Sequence, residues 1–160
     1  MSPRLALHLL GPPRVEIDNS PISIDRRKTL ALLAYLAVNG GQHTRDYLSA
    51  LLFPDYDQSK AFTNLRHTLW ETQQAIGDGW VIADRESVRL VADEDHSSAA
   101  TEMERTIWLD VIHFESLIKE SHTQKDISLR ISLLTHSVKL YRNHFLTGGC
   151  GDVECNRGFR

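Results

Sequence analysis

The sequence predicts an α+β fold, on three observations. Residues 14–17 and 22–24 alternate apolar and polar side chains, the period of short half-buried strands, and turn-forming clusters separate them from each other and from the apolar run of residues 5–10. Residues 26–76 change to helical periodicity in three segments, and residues 80–90 return to a strand, turn, strand pattern. Residues 107–147 then read as a pair of helices.

Composition bounds what such a fold does. At 160 residues and 41% hydrophobic, the chain is long enough for one ordinary domain or two small ones with a real core. A net charge of -3 excludes a basic nucleic-acid coat and an acidic tail protein, so any affinity for phosphate is local. The start, M-S-P-R-L-A-L-H-L-L-G-P-P, is interrupted by His8 and lacks a small-residue cleavage site, so it does not read as a signal peptide. The longest apolar run, residues 30–38, stops at Asn39-Gly40-Gly41, well short of the roughly 20 residues that cross a bilayer. These features predict a cytoplasmic protein with no membrane partner. Cys150 and Cys155 form a C-x4-C pair with no second pair at zinc spacing, and read as reduced thiols in a loose tail.

Three strands come first, in residues 5–10, 14–17 and 22–24, separated by Gly11-Pro12-Pro13 and Asp18-Asn19-Ser20-Pro21, and predict a small antiparallel sheet. A helix follows over residues 26–38, with Asp25 as its expected cap, Leu30, Leu33, Ala34, Ala37 and Val38 on one face, and Asn39-Gly40-Gly41 at its end. About five residues later Thr44 caps a second helix, whose Asp46 lies in the first turn and whose apolar side is Tyr47, Leu48, Leu51 and Leu52. Phe53-Pro54 ends it.

The third helix spans residues 59–77, with Ser59 as expected cap. Ala61, Leu65, Thr68, Leu69, Thr72 and Ile76 fall within about a 100° arc and predict its buried stripe. The opposite face carries Lys60, Thr63, Asn64, His67, Glu71 and Gln74. Gly77-Asp78-Gly79 stops the helix, and Trp80-Val81-Ile82, Asp84-Arg85-Glu86 and Val88-Arg89-Leu90 read as a hairpin. This order is that of a winged helix-turn-helix preceded by a sheet.

Specific stretches strengthen that reading. G-P-P-R-V-E-I-D, R-R-K-T-L-A-L-L-A-Y-L-A-V-N-G-G, P-D-Y-D-Q-S-K-A and L-R-H-T-L-W together resemble the OmpR/PhoB-type effector domain, in the version that opens bacterial SARP-like transcriptional activators. The resemblance covers residues 5–91.

Residues 93–105 are polar, acidic and aperiodic, and read as a linker. Trp108, Val111, Phe114, Leu117 and Ile118 then make one helical face. Ile127, Ile131, Leu134, Val138, Tyr141 and Phe145 recur in steps of four and three, predicting a helix of about twenty residues with a narrow apolar seam. W-L-D-V-I-H-F-E-S-L-I and S-L-L-T-H-S-V-K-L-Y-R-N-H-F-L-T-G resemble the start of the bacterial transcriptional activator domain, an all-helical, tetratricopeptide-like module, here shortened. The expected division is a winged helix over residues 1–92, a linker over 93–106, the start of the helical module over 107–147 and a loose tail over 148–160.

A winged helix places its third helix in the major groove and its hairpin on the adjacent backbone. Lys60 and Arg66 then suit phosphates or guanine edges, Asn64 and Gln74 carry the donor and acceptor pair that matches adenine, and Thr63 and His67 complete the face. Arg85 and Arg89 serve phosphate from the hairpin. Arg26-Arg27-Lys28 is the densest positive cluster, divided between backbone contact and a solvated face. Asp55-x-Asp57-x-Ser59 fails as a calcium loop, since Lys60 stands where glycine is needed and Arg66 where a bidentate Glu is needed. In OmpR-type domains this loop meets RNA polymerase, and the resemblance implies that role for Asp55, Tyr56 and Asp57.

No catalytic or cofactor motif accompanies the eight histidines, so neither an enzyme nor a cofactor is expected. The partners expected are double-stranded DNA, RNA polymerase and, through the helical module, itself or other proteins. Between residues 59 and 91 Lys60, Arg66, Arg85 and Arg89 are balanced by Glu71, Asp78, Asp84 and Glu86. That balance keeps a second reading open: a shortened protein-interaction module that no longer grips DNA tightly.

Overall fold

The computed structural model describes residues 4–91 and 105–148. The first sheet begins with β1 (Arg4–His8), β2 (Arg14–Ile17) and β3 (Ser20–Ile22). β1 and β2 pair antiparallel with Leu5 opposite Ile17 and Leu7 opposite Val15, and β2 continues into β3. Asp18 and Asn19 make that second connection with φ of 50° and 64°. A two-residue turn with both centres left-handed matches the twist of the strands it joins, and Asp and Asn tolerate that region.

The N-terminal sheet is not purely antiparallel, as expected, but mixed. A fourth strand, β7 (Thr106–Leu109), lies parallel to β1 with Leu5 opposite Ile107 and Leu7 opposite Leu109, giving the order β3-β2-β1-β7. Trp108, read above as the start of a helical face, is therefore in a strand. Its neighbours Thr106, Ile107 and Leu109 suit a half-buried strand, and the helix starts only at Asp110.

Helix α1 (Arg27–Asn39) is buried from Thr29 through Ala37, more thoroughly than its one-sided pattern suggested, because the elements that follow pack around it. Asp25 is not its cap: its carboxylate accepts from the Ser23 hydroxyl at 2.7 Å, and Arg26 occupies the cap position without a side-chain bond. Gly40, at φ 58°, ends the helix by donating its N–H to the Leu36 carbonyl.

The connection to the next helix holds a strand that periodicity did not reveal, β4 (Gln42–Thr44). It pairs with β6 (Ser87–Leu90), which pairs in turn with β5 (Val81–Ala83), so the hairpin is part of a three-stranded sheet ordered β4-β6-β5. Helix α2 (Arg45–Leu52) is capped as expected by Thr44, which accepts from the Tyr47 N–H.

Helix α3 (Gln58–Ile76) is capped by Asp57 rather than Ser59, the carboxylate accepting from the Lys60 N–H at 3.0 Å. Its buried residues are the six expected, Ala61, Leu65, Thr68, Leu69, Thr72 and Ile76. The Thr68 and Thr72 hydroxyls donate to the Asn64 and Thr68 carbonyls, so burying them leaves no donor orphaned.

Helices α4 (Asp110–Thr123) and α5 (Ile127–Leu140) are joined by three residues and pack on each other. α5 is shorter than the twenty-residue helix expected: Tyr141 ends it, and Phe145 pairs back onto Leu10. The Asp110 carboxylate, 1% exposed, accepts from the Leu9 and Leu10 N–H groups at 2.8 and 2.9 Å. Arg142 stands 3.9 Å from it, and the Arg142 and Leu146 N–H groups donate to the Leu10 and Leu9 carbonyls. One buried carboxylate and one strand end thus bind the helix pair to the first sheet. Most of the linker, all of the C-x4-C pair and all but the first residue of the tail lie outside the described residues.

Candidate nucleic-acid interface

With its stripe committed to the core, α3 turns Lys60, Thr63, Arg66, His67, Trp70 and Gln74 to solvent, and leaves Asn64 half-buried at the edge. Four of the six residues expected on that face, Lys60, Thr63, His67 and Gln74, are thus exposed, with Arg66 and Trp70 on its flank, while Asn64 and Glu71 are half-buried. Its charges are not equally available. Lys60 lies 3.4 Å from the Asp57 carboxylate in an exposed pair, which screening keeps weak. Arg66 makes no ion pair among the described residues.

Glu71 organises the other flank. Its carboxylate accepts from Arg26 Nε at 2.9 Å and from the Thr29 hydroxyl at 3.1 Å, with His67 Nδ1 at 3.4 Å. Only 18% of that side chain is exposed, so the one carboxylate of α3 is spent on tying the helix to the start of α1. Helical spacing made the His67 pair legible. The Arg26 and Thr29 partners come from another helix and carried no local signal. Arg26 is consequently an anchor of the α1–α3 contact, whereas Lys28 stands over the Phe53 ring at 5.8 Å.

Between α2 and α3, Phe53 is buried and Tyr56 stacks edge-on against it at 6.2 Å, which fixes the loop. Asp55 and Tyr56 are exposed, and Asp57 is half engaged as cap and as partner of Lys60.

The turn of the β5–β6 hairpin is built on Asp84. Its carboxylate accepts from the Glu86 and Ser87 N–H groups and the Ser87 hydroxyl, and those bonds hold it below the usual carboxylate range. Arg45, at the start of α2, clasps the same turn: its Nε donates to the Asp84 carbonyl at 2.7 Å and its N–H to the Glu86 carbonyl at 2.8 Å. Arg85 is left exposed at the tip, while Arg89 is half-buried in β6 between Gln42 and Ile82.

Two residues of this region escaped the sequence reading. Arg105, assigned to the linker, donates to the Gly79 carbonyl at 2.6 Å and lies over the Trp80 ring at 5.7 Å, sealing the turn after α3. Nothing in its local sequence marks it. Trp70 was in plain view, since helical spacing alone puts it one turn from His67, and it is 57% exposed. Among the described residues no group of three His, Cys, Asp or Glu side chains is placed to hold a metal ion. No described helix is long and apolar enough to cross a membrane.

No model of a known protein family matches the chain, and no curated protein does. Among solved structures the fold is similar to that of Mycobacterium tuberculosis EmbR, solved in complex with a low affinity phosphopeptide. The TM-score is 0.67 at 18% identity, over 91% of this chain and 38% of that one. The chain therefore spans well under half the length of that neighbour. At this identity the likeness is one of fold: a mixed α+β arrangement with five helices and two sheets among the described residues.

Proposed function

We propose that the chain is a DNA-binding transcriptional regulator of the SARP-like kind, with α2, α3 and the β5–β6 hairpin acting as a winged helix-turn-helix. The observation that carries this reading is the outward face of α3, whose polar side chains stand exposed beside an exposed arginine-tipped hairpin clasped to α2. The resemblance of L-R-H-T-L-W and the neighbouring stretches to OmpR/PhoB-type domains supports it, as does a fold likeness long enough to include both the α1–α3 region and the helix pair.

In this reading α3 docks in the major groove, where Arg66 and Lys60 meet phosphate or guanine, Asn64 and Gln74 meet adenine, and Thr63 and His67 lie between them. Arg85 and Arg89 hold the backbone. Asp55, Tyr56 and Asp57 are offered to RNA polymerase. Residues 1–92 form the winged helix, 93–106 the linker, 107–147 the start of the helical module and 148–160 the tail; β7, which begins at the linker's last residue, Thr106, completes the first sheet. The protein works in the cytoplasm, without a cofactor and without catalysis.

Fluorescence anisotropy against a mixed pool of duplex DNA across a salt series tests this. The Lys60→Ala and Arg66→Ala variants are expected to bind more weakly, and the slope of log affinity on log salt to fall by about 1 for each phosphate left unneutralised. Arg66, free of an ion pair among the described residues, is expected to matter more than Lys60. Unchanged binding in both variants would remove α3 from the groove.

A second reading, a protein-interaction module, is favoured by one observation. Ile127, Ile131 and Val138 of α5 are 73%, 59% and 70% exposed, an apolar surface that DNA does not cover.

A further inference from the structure

The outward face of α3 carries one large apolar side chain that neither the core nor the groove assignment above uses. Trp70 is 57% exposed, whereas Trp80, beyond the end of the helix, is 3% exposed. An indole left in water forgoes one of the largest burial gains available to any side chain. Its ring contact among the described residues is His67, with centroids 6.0 Å apart.

The surroundings of Trp70 select its occupant. Arg66 and Gln74 stand one turn away on either side, both exposed. Glu71, the single carboxylate of the helix, is turned to Arg26 and Thr29. The indole therefore sits among hydrogen-bond donors with no free carboxylate on its helix, a setting complementary to a polyanion.

In the major groove of such a polyanion, base edges present donors and acceptors, and the apolar group they offer is the C5-methyl of thymine. The flat indole face accepts a hydrogen bond only weakly and donates none, whereas a methyl packs directly against it, so the methyl is the best complement of that face. We propose that Trp70 is a specificity-determining residue that reads thymine through its C5-methyl group. The inference rests on the DNA-binding reading above and deepens it.

The test uses the full chain and duplexes that it enriches from a random-sequence pool. Each thymine of an enriched duplex is replaced in turn by uracil, which removes the methyl and keeps the base pairing. Binding is expected to weaken about three- to fivefold at one or two positions, the size of burying a single methyl group. Trp70→Gln should bind thymine and uracil duplexes alike, and Trp70→Phe should keep the discrimination.

The uracil series on the unaltered protein stands independently of how any variant folds. Enrichment without a uracil-sensitive thymine would overturn the role of Trp70 while leaving DNA binding in place. Uracil sensitivity that persists in a folded Trp70→Gln variant would do the same. A pool from which nothing is enriched at low salt would overturn both readings together.

Discussion

His8 shows how burial outweighs a nearby opposite charge. It lies in β1 with its ring 5.0 Å from Trp108 and its Nε2 3.8 Å from Glu16. Burial lowers its pKa from 6.5, Arg14 adds to that, and Glu16 and Asp110 only partly oppose it. The folded chain thus prefers neutral His8, while the unfolded chain takes up a proton near 6.5. Its contribution to stability is complete above that value and is lost as pH falls from 6.5 to the lower folded pKa. Urea midpoints measured at about pH 7.5 and 5.5 should drop more for the unaltered protein than for His8→Gln. An equal drop in both would show that His8 titrates as if unfolded.

At the scale of the element, α3 shows why a pattern finds a helix more readily than its first residue. D-Q-S offers two good caps within three residues, and both are compatible with the stripe that follows. The choice falls to the preceding loop, where buried Phe53 and its contact with Tyr56 bring the chain round so that Asp57 meets the Lys60 N–H. Asp57→Ala should therefore cost about 1 kcal/mol in denaturant unfolding and Ser59→Ala close to nothing. The reverse ranking would restore Ser59 as the cap. In α5 the apolar steps of four and three were legible, yet Ile127, Ile131, Leu134 and Val138 stay exposed, while Ser137, off that seam, is the residue buried.

Across the whole molecule, Asp110 joins what the sequence separates by a hundred residues. It satisfies the N–H groups of Leu9 and Leu10 at the end of β1, and β7 just before it fills the edge of the first sheet. Removing that carboxylate leaves two buried donors unpaired and Arg142 without its partner. Asp110→Ala should cost about 3–5 kcal/mol in urea unfolding and loosen the helix pair from the sheet together. A loss under about 1 kcal/mol would mean that the strand pairing alone holds them.

The sequence by itself determined the elements whose signal is local and repeated. The buried stripe of α3, the hairpin around residues 84–86, the turn at Asp18 and Asn19, and the outward positions from Lys60 to Gln74 follow from spacing and turn chemistry within a few residues. Tertiary structure decided what depends on partners far along the chain: the strand at residues 42–44, the parallel strand carrying Trp108, Arg105 on Trp80, and the commitment of Glu71 to Arg26 and Thr29. A three- or four-residue strand is too short to show a period and exists because a neighbour supplies its hydrogen bonds. A charge on a helix face likewise reads the same whether it meets solvent or another helix, and only packing tells which.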